Sequence, residues 1–230
     1  MTGVDPVRAV ELSLIVGAWC IVLGSPFAIG LGFLLARREF WGKSLVSALV
    51  LTPLVMPPVV TGFLLLEVLG RDSALGGVLA ELGLPIPFTL AGAVAAGLAV
   101  GFPLYVSAAR SAFEAIDRRF EDVSLTLGVP PWRTFLRVTL PLALPGLVGG
   151  MVLAFARALG EFGATVVVAG NAEGQTRTLA LAVYTLLDVP GAEPQAWRLV
   201  ALSVGLSTAS LLGHEALTRW QKRRLEVSRG

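Results

Sequence analysis

The stretch RSAFEAIDRRFEDVSLTLGVPPWRTFLR, residues 110–137, is a polar segment bounded by two long apolar runs, and its reading decides the fold. Phe113, Ile116, Phe120, Val123 and Leu127 recur at steps of three and four, the spacing that gathers side chains on one helical face. Gly128 follows the last of them, where a helix end favours glycine because the residue past the cap turns left-handed. Pro130 and Pro131 lack the N–H that a continuing helix needs, and a second short helix is expected over 132–137. On pattern alone, this helix and sharp turn suit either a groove on a soluble partner or the headgroup layer of a bilayer.

Working outward, the flanking runs are long enough to cross a membrane, which takes about 20 mostly apolar residues. Residues 82–109 carry no charge, with the span itself beginning near 87; a second run from 138 to about 169 is interrupted only by Arg157 and Glu161. Residues 12–36 and 44–66 are also free of charge, and a fifth span over about 196–217 has a charge-free centre at 199–213. The fold class is therefore an all-α membrane protein of about five transmembrane helices, read as one domain over 1–230. Composition agrees: 55% of residues are hydrophobic and 15% charged, against about 25% charged in soluble domains, which excludes a water-soluble globule. The first run is too long for a signal-peptide core of about 7–15 residues and is expected to stay in the membrane. A single cysteine, Cys20, permits no intrachain disulfide.

Basic residues orient the bundle, because cytoplasmic loops collect Lys and Arg. Placing the loops 36–44 and 110–137 and the C-terminal tail inside puts Arg37, Arg38, Lys43, Arg110, Arg118, Arg119, Arg133, Arg137, Arg219, Lys222, Arg223, Arg224 and Arg229 there. Arg8, Arg71, Arg177 and Arg198 then lie outside and Arg157 within the membrane, so the N-terminus is outside and the C-terminus cytoplasmic. Residues 171–195 become an external loop, and 179–187 a short helix against the outer face or dipping into the bundle. Gly97-x-x-x-Gly101 and Gly146-x-x-x-Gly150 allow close helix approach. Pro53, Pro57, Pro58 and Pro103 are expected to bend helices while neighbours satisfy the freed backbone groups.

The polar stretch also resembles a known motif. Asp122-Val123-Ser124, Gly128 and Val138-x-Leu140-Pro141 stand at the spacing of the cytoplasmic E-A-A-x-x-x-G, nine residues, I-x-L-P motif of ABC-importer permeases. Asp replaces Glu, Val-Ser replaces Ala-Ala, and Glu121 sits one place early. Phe155-Ala156-Arg157-Ala158-Leu159-Gly160-Glu161-Phe162-Gly163-Ala164 resembles the fourth-span signature of molybdate, tungstate and sulfate permeases. Gly174-Gln175-Thr176-Arg177-Thr178, Tyr184-Thr185-Leu186 and Leu54-Val55-Met56-Pro57-Pro58-Val59-Val60 are closer to the molybdate branch than to the sulfate one.

The resemblance implies that Glu121, Asp122, Val123, Leu127, Gly128, Pro130 and Trp132 couple the chain to a cytoplasmic ATPase. It also implies two ATPase subunits holding ATP and magnesium, an external oxyanion-binding protein, and a prokaryotic plasma (inner) membrane location. The chain itself would bind no cofactor and catalyse no reaction. A homodimer is expected, since a two-fold pair is the commonest closed assembly. Arg71 and Arg177 are expected to face the external receptor.

Other chemistry finds little support. Gly42-Lys43-Ser44 is a fragment of a phosphate-binding loop, but Arg37 occupies the place of the first glycine and no strand precedes it. Arg157 and Glu161, at i and i+4, can meet on one face; they read as a packing pair, as pathway lining, or as interface charges near polar loops. His214 has no second histidine or cysteine cluster with which to hold a metal. Lys222-Arg223-Arg224 reads as a topology signal that can also touch anionic lipid, and nucleic acid is not an expected partner. The alternatives are a sulfate or thiosulfate permease of the same family and an ion-coupled secondary transporter. The latter would carry inverted repeats and several intramembrane ionisable groups, which one Arg–Glu pair and an odd span count fit poorly.

Overall fold

The computed structural model describes residues 4–227, without the side chains of residues 217, 218 and 220–227. The basic cluster Lys222-Arg223-Arg224 and Arg229 therefore lie outside the described side chains.

The described chain is helical throughout, and among the described residues no strand occurs. Helix α1 (Pro6–Arg37) begins at an Asp5 cap whose Oδ1 accepts from the N–H groups of Val7 and Arg8 at 3.0 and 3.3 Å. Its 32 residues, at about 1.5 Å each, exceed the ~30 Å hydrocarbon core of a bilayer. Then follow α2 (Lys43–Val55), α3 (Pro58–Leu69), α4 (Ala74–Glu81), α5 (Leu90–Glu114) and α6 (Arg119–Thr126). The chain closes with α7 (Pro131–Leu159), α8 (Gly163–Val168), α9 (Leu179–Leu187) and α10 (Glu193–Val227).

Three helices make the core, and small residues let them touch. A Cβ on Gly97 would lie 2.8 Å from the Cys20 sulfur, and one on Gly32 would lie 2.7 Å from the Ala109 Cβ. These contacts climb both helices together, so α1 and α5 run parallel. Against α5, α7 runs the other way: Gly101 faces Ala154, and a Cβ on Gly150 would sit 2.7 Å from the Ala108 Cβ. Glycine serves here because atoms of the neighbouring helix, backbone at Gly32 and Gly101 and side chain at Gly97 and Gly150, occupy the space a side chain would need. Cys20 is buried, and its Sγ lies 3.4 Å from the Val94 carbonyl.

Two of the expected spans differ. Residues 44–66 do not form one helix: α2 and α3 meet at a bend of 114°. Met56 and Pro57 are extended because each precedes a proline, which disfavours helical backbone at that position. Since α1 and α5 are parallel, the α2–α3 pair must return the chain from the Arg37 end to the Thr89 end, so the bent pair serves as one crossing. With α1, α5, α7 and the apolar part of α10, this makes up to five spans. The fourth span stops at Leu159 rather than near 169. Gly160, Glu161 and Phe162 interrupt it, and α8 starts afresh at Gly163.

The amphipathic face read over 113–127 is also divided. Phe113 belongs to the end of α5, wholly buried and edge-on to Phe33 at 5.3 Å between ring centres, whereas α6 starts only at Arg119. The chain turns between them at Ala115–Arg118, where Asp117 Oδ1 accepts from the Arg119 N–H at 2.9 Å. The second short helix does not end at 137; it widens through a π-turn at Phe135–Thr139 and continues as α7. The apolar segment 179–187 does form a short helix, α9, whose Leu179, Ala182 and Leu186 pack with Ala9, Ala196 and Leu199.

Candidate functional site

The segment from α6 to the start of α7 folds back on itself as a bracket. Helix α6 closes with Gly128 at φ +79°, its N–H donating to the Leu125 carbonyl at 3.0 Å while the Val129 N–H donates to Ser124 at 3.2 Å. This paired closure requires a left-handed residue, which glycine adopts without a Cβ clash. Pro130 is extended and Pro131 opens α7, so the chain reverses within a few residues.

The two faces of the bracket differ in chemistry. Toward the bundle, the Ser124 and Thr134 hydroxyls are buried and hydrogen-bonded to each other at 2.9 Å. Glu121 Oε1 accepts from Arg37 Nε at 3.1 Å and from the Thr139 hydroxyl at 2.9 Å, and lies 3.0 Å from Arg37 Nη2. Away from the bundle, Phe120, Val123, Leu127 and Trp132 are 57–77% exposed. Phe120, Val123 and Leu127, at i, i+3 and i+7, share one side of α6, and Arg133 stacks over the Trp132 ring at 4.9 Å. Asp122 is exposed beside them. A short helix held from behind by polar bonds and presenting large apolar side chains in front is suited to a preformed groove.

Of the residues read from the sequence, Asp122, Val123, Leu127 and Trp132 share this outward side, Gly128 and Pro130 shape the turn, and Glu121 faces the bundle. Sequence reasoning used Arg37 as a topology charge and against a phosphate-binding loop, named Ser124 only as a motif position, and did not single out Thr139 or Thr134. No sequence spacing signals these pairings: Arg37 lies 84 residues from Glu121, and Ser124–Thr134 and Glu121–Thr139 meet only because the chain reverses at Gly128.

The second charged site lies where two helix breaks meet. Arg157 Nη1 pairs with Glu161 Oε2 at 2.8 Å, and Glu161 Oε1 accepts from the Ala164 N–H at 2.8 Å. The Glu161 side chain is 2% exposed and that of Arg157 31%. One carboxylate thus neutralises the arginine and caps α8, as its charge favours a helix start. A Cβ on Gly163 would lie 2.8 Å from the Pro58 Cβ, so this break packs directly on the α2–α3 break. At the far end of the molecule, Arg177 does not project outward. Its side chain is 14% exposed, and its Nε donates to Asn171 Oδ1 at 2.9 Å, while Arg71 is exposed.

With the bracket and the bundle in place, comparison with known proteins is informative. Residues 28–223 match the family described as the binding-protein-dependent transport system inner membrane component. The chain belongs to this family. It is 44% identical over 225 residues to the molybdenum transport system permease protein ModB of Haemophilus influenzae, covering 97% of this chain and 96% of that protein. To the protein of the same name from Escherichia coli K12 it is 45% identical over 218 residues, 94% of this chain and 95% of that one. The inward-facing MetNI methionine ABC transporter shares its fold at a TM-score of 0.63 and 18% identity, over 92% of this chain and 94% of that chain. As an inner membrane component of a binding-protein-dependent system, the chain is a multi-pass bacterial membrane protein and a transport subunit of an ABC importer.

Proposed function

We propose that this chain is the permease subunit through which molybdate, or the closely similar tungstate, enters the cytoplasm. The observation that carries the reading is the bracket: apolar knobs Phe120, Val123, Leu127 and Trp132 stand exposed on a helix whose rear face is bonded to the bundle. Its relatives' names supply the substrate class. In this reading two copies of the chain pair about a two-fold axis, with the bracket and C-terminus in the cytoplasm and the N-terminus outside. Each bracket seats in a partner ATPase that holds ATP and magnesium; the ATPase chemistry belongs to that partner. An external binding protein delivers the oxyanion to the opposite face, where Arg71 is exposed. Nucleotide and loaded receptor favour different states of the assembly, and their differential affinities drive the alternation.

The test is reconstitution in proteoliposomes with the partner ATPase inside and the binding protein outside. Molybdate uptake that requires ATP and the binding protein supports the proposal; uptake driven by an ion gradient without the ATPase would sink it. Leu127→Ala and Trp132→Ala should each weaken ATPase association by about 1–2 kcal/mol, read by co-purification, and leave the permease's thermal stability unchanged.

A further inference from the structure

We propose that Arg37 and Thr139 are positioning residues of the transport cycle: through the Glu121 carboxylate they bolt α6 to the end of α1 and to the π-turn of α7, so that displacement of α6 moves the α1–α5–α7 core as one body. The inference rests on the transport reading for its consequence, but its mechanical content stands on geometry.

A push on the exposed face of α6 can reach the bundle by two routes. One is covalent, through the turns at 115–118 and 127–130. The second of these contains Gly128, whose added Cβ would meet nothing within 4 Å. The other route is the set of side-chain bonds behind α6. There a single oxygen, Glu121 Oε1, takes Arg37 Nε at 3.1 Å, Arg37 Nη2 at 3.0 Å and Thr139 Oγ1 at 2.9 Å. Arg37 Nη2 also donates at 3.2 Å to the Ile116 carbonyl, in the turn that joins α5 to α6.

The side chains of Arg37 and Glu121 are 8% and 18% exposed, so water screens this ion pair far less than a surface one. One guanidinium and one carboxylate thus tie the end of α1, the turn after α5, the first turn of α6 and the π-turn of α7 to a common point. The buried Ser124–Thr134 bond is a second fastening between α6 and α7. Arg37 is the terminal residue of α1, and Thr139 closes the π-turn of α7. A displacement of α6 therefore enters α1 at its end and α7 at its π-turn. The adjacent acids divide the work: Glu121 holds the bundle, and exposed Asp122 is left for the partner.

The experiment uses the full complex in proteoliposomes, comparing Arg37→Ala, Thr139→Val and the exchange Arg37→Glu with Glu121→Arg. Two quantities are read in each: molybdate taken up per ATP hydrolysed, and the mobility of a spin label on Thr126→Cys, an exposed α6 position outside the coupling set. The native Cys20 is buried and does not compete for the label. Arg37→Ala should lower the uptake-to-hydrolysis ratio about tenfold while hydrolysis continues, and should loosen the label. Thr139→Val should do the same to a smaller extent, and the exchange should recover most of the ratio. An assembled Arg37→Ala complex with unchanged ratio and label spectrum overturns the proposal, as does an exchange no better than its single parts. If Arg37→Ala fails to assemble, Thr139→Val decides, and an unchanged label there overturns it. Absence of ATP-dependent uptake in the wild-type complex would instead refute the transport reading, and the label spectra would still judge the fastening.

Discussion

The α1–α5–α7 core and the α2–α3 arm are made of equally apolar sequence yet pack in opposite ways. In the core, glycines and alanines bring backbones together, and Ala28, Ala93, Ala109 and Leu147 are fully buried. In the arm, α2 buries no residue and α3 buries only Thr61 and Gly62, while Leu45, Leu49, Phe63 and Leu64 are exposed. Hydrophobicity alone drives neither arrangement in lipid, where tails are as apolar as leucine; close fit does. The core has that fit within one chain. The arm touches the rest of the chain closely where Gly62 and Pro58 meet Ala164 and Gly163, leaves most of its apolar side chains exposed, and bends where two prolines interrupt it.

The largest effect expected from breaking this contrast is in the core. A Cβ on Gly32 would approach the Arg110 backbone nitrogen to 2.9 Å as well as Ala109, so Gly32→Leu should cost about 3 kcal/mol or more and abolish a detergent-stable monodisperse peak. Gly30, with nothing within 4 Å, should accept the same change. Next comes the junction where the two regions meet. Glu161→Gln strands Arg157 and should destabilise by about 3 kcal/mol in thermal unfolding, more than Glu161→Asp, which keeps the charge. Equal, wild-type behaviour of both would remove the pair from any account of the fold.

Smaller still is Pro57→Ala in the arm. It should change monomer stability by no more than about 0.5 kcal/mol while slowing uptake, since the bend and not the core is altered. The smallest effect belongs to Glu39. The hydrogen bond from Lys43 and its positive charge hold the Glu39 carboxyl below the usual carboxylate range. Any contribution is therefore present above that range and lost as pH falls through the lowered value. The group is fully exposed, so Glu39→Gln should leave the melting temperature unmoved at neutral pH.

Much of this was legible in the residues. The run 12–36 reads as a span because it must cover about 30 Å of hydrocarbon, and α1 follows it with six further residues at its start and one at its end. The segment 179–187 reads as a short helix because it is apolar yet too short to cross, and α9 has those bounds. Gly128-x-Pro130-Pro131 reads as a stop and a reversal because glycine and proline act through their own backbone limits. Less legible were the sharpness of the bend at Met56–Pro57, which splits one expected span into two helices, and the break at Gly160–Phe162. Proline occurs inside α1, α5 and α7 without breaking them, at Pro26, Pro103 and Pro145. Whether a proline bends or breaks a helix depends on what is available to satisfy the freed carbonyls. At 160–162 it was Glu161, reaching forward to the Ala164 N–H, that let a new helix begin.

By itself, then, the amino-acid order determined the lipid-crossing runs, the turn of the bracket and the residues that its front face exposes, because hydropathy, glycine and proline act locally. Tertiary structure alone decided that Glu121 faces Arg37 and Thr139 while Asp122 faces outward, and that Glu161 serves both Arg157 and α8. Those choices depend on which helix ends arrive at the same point in space. Close packing of α1, α5 and α7 sets that arrival, and local pattern does not encode it.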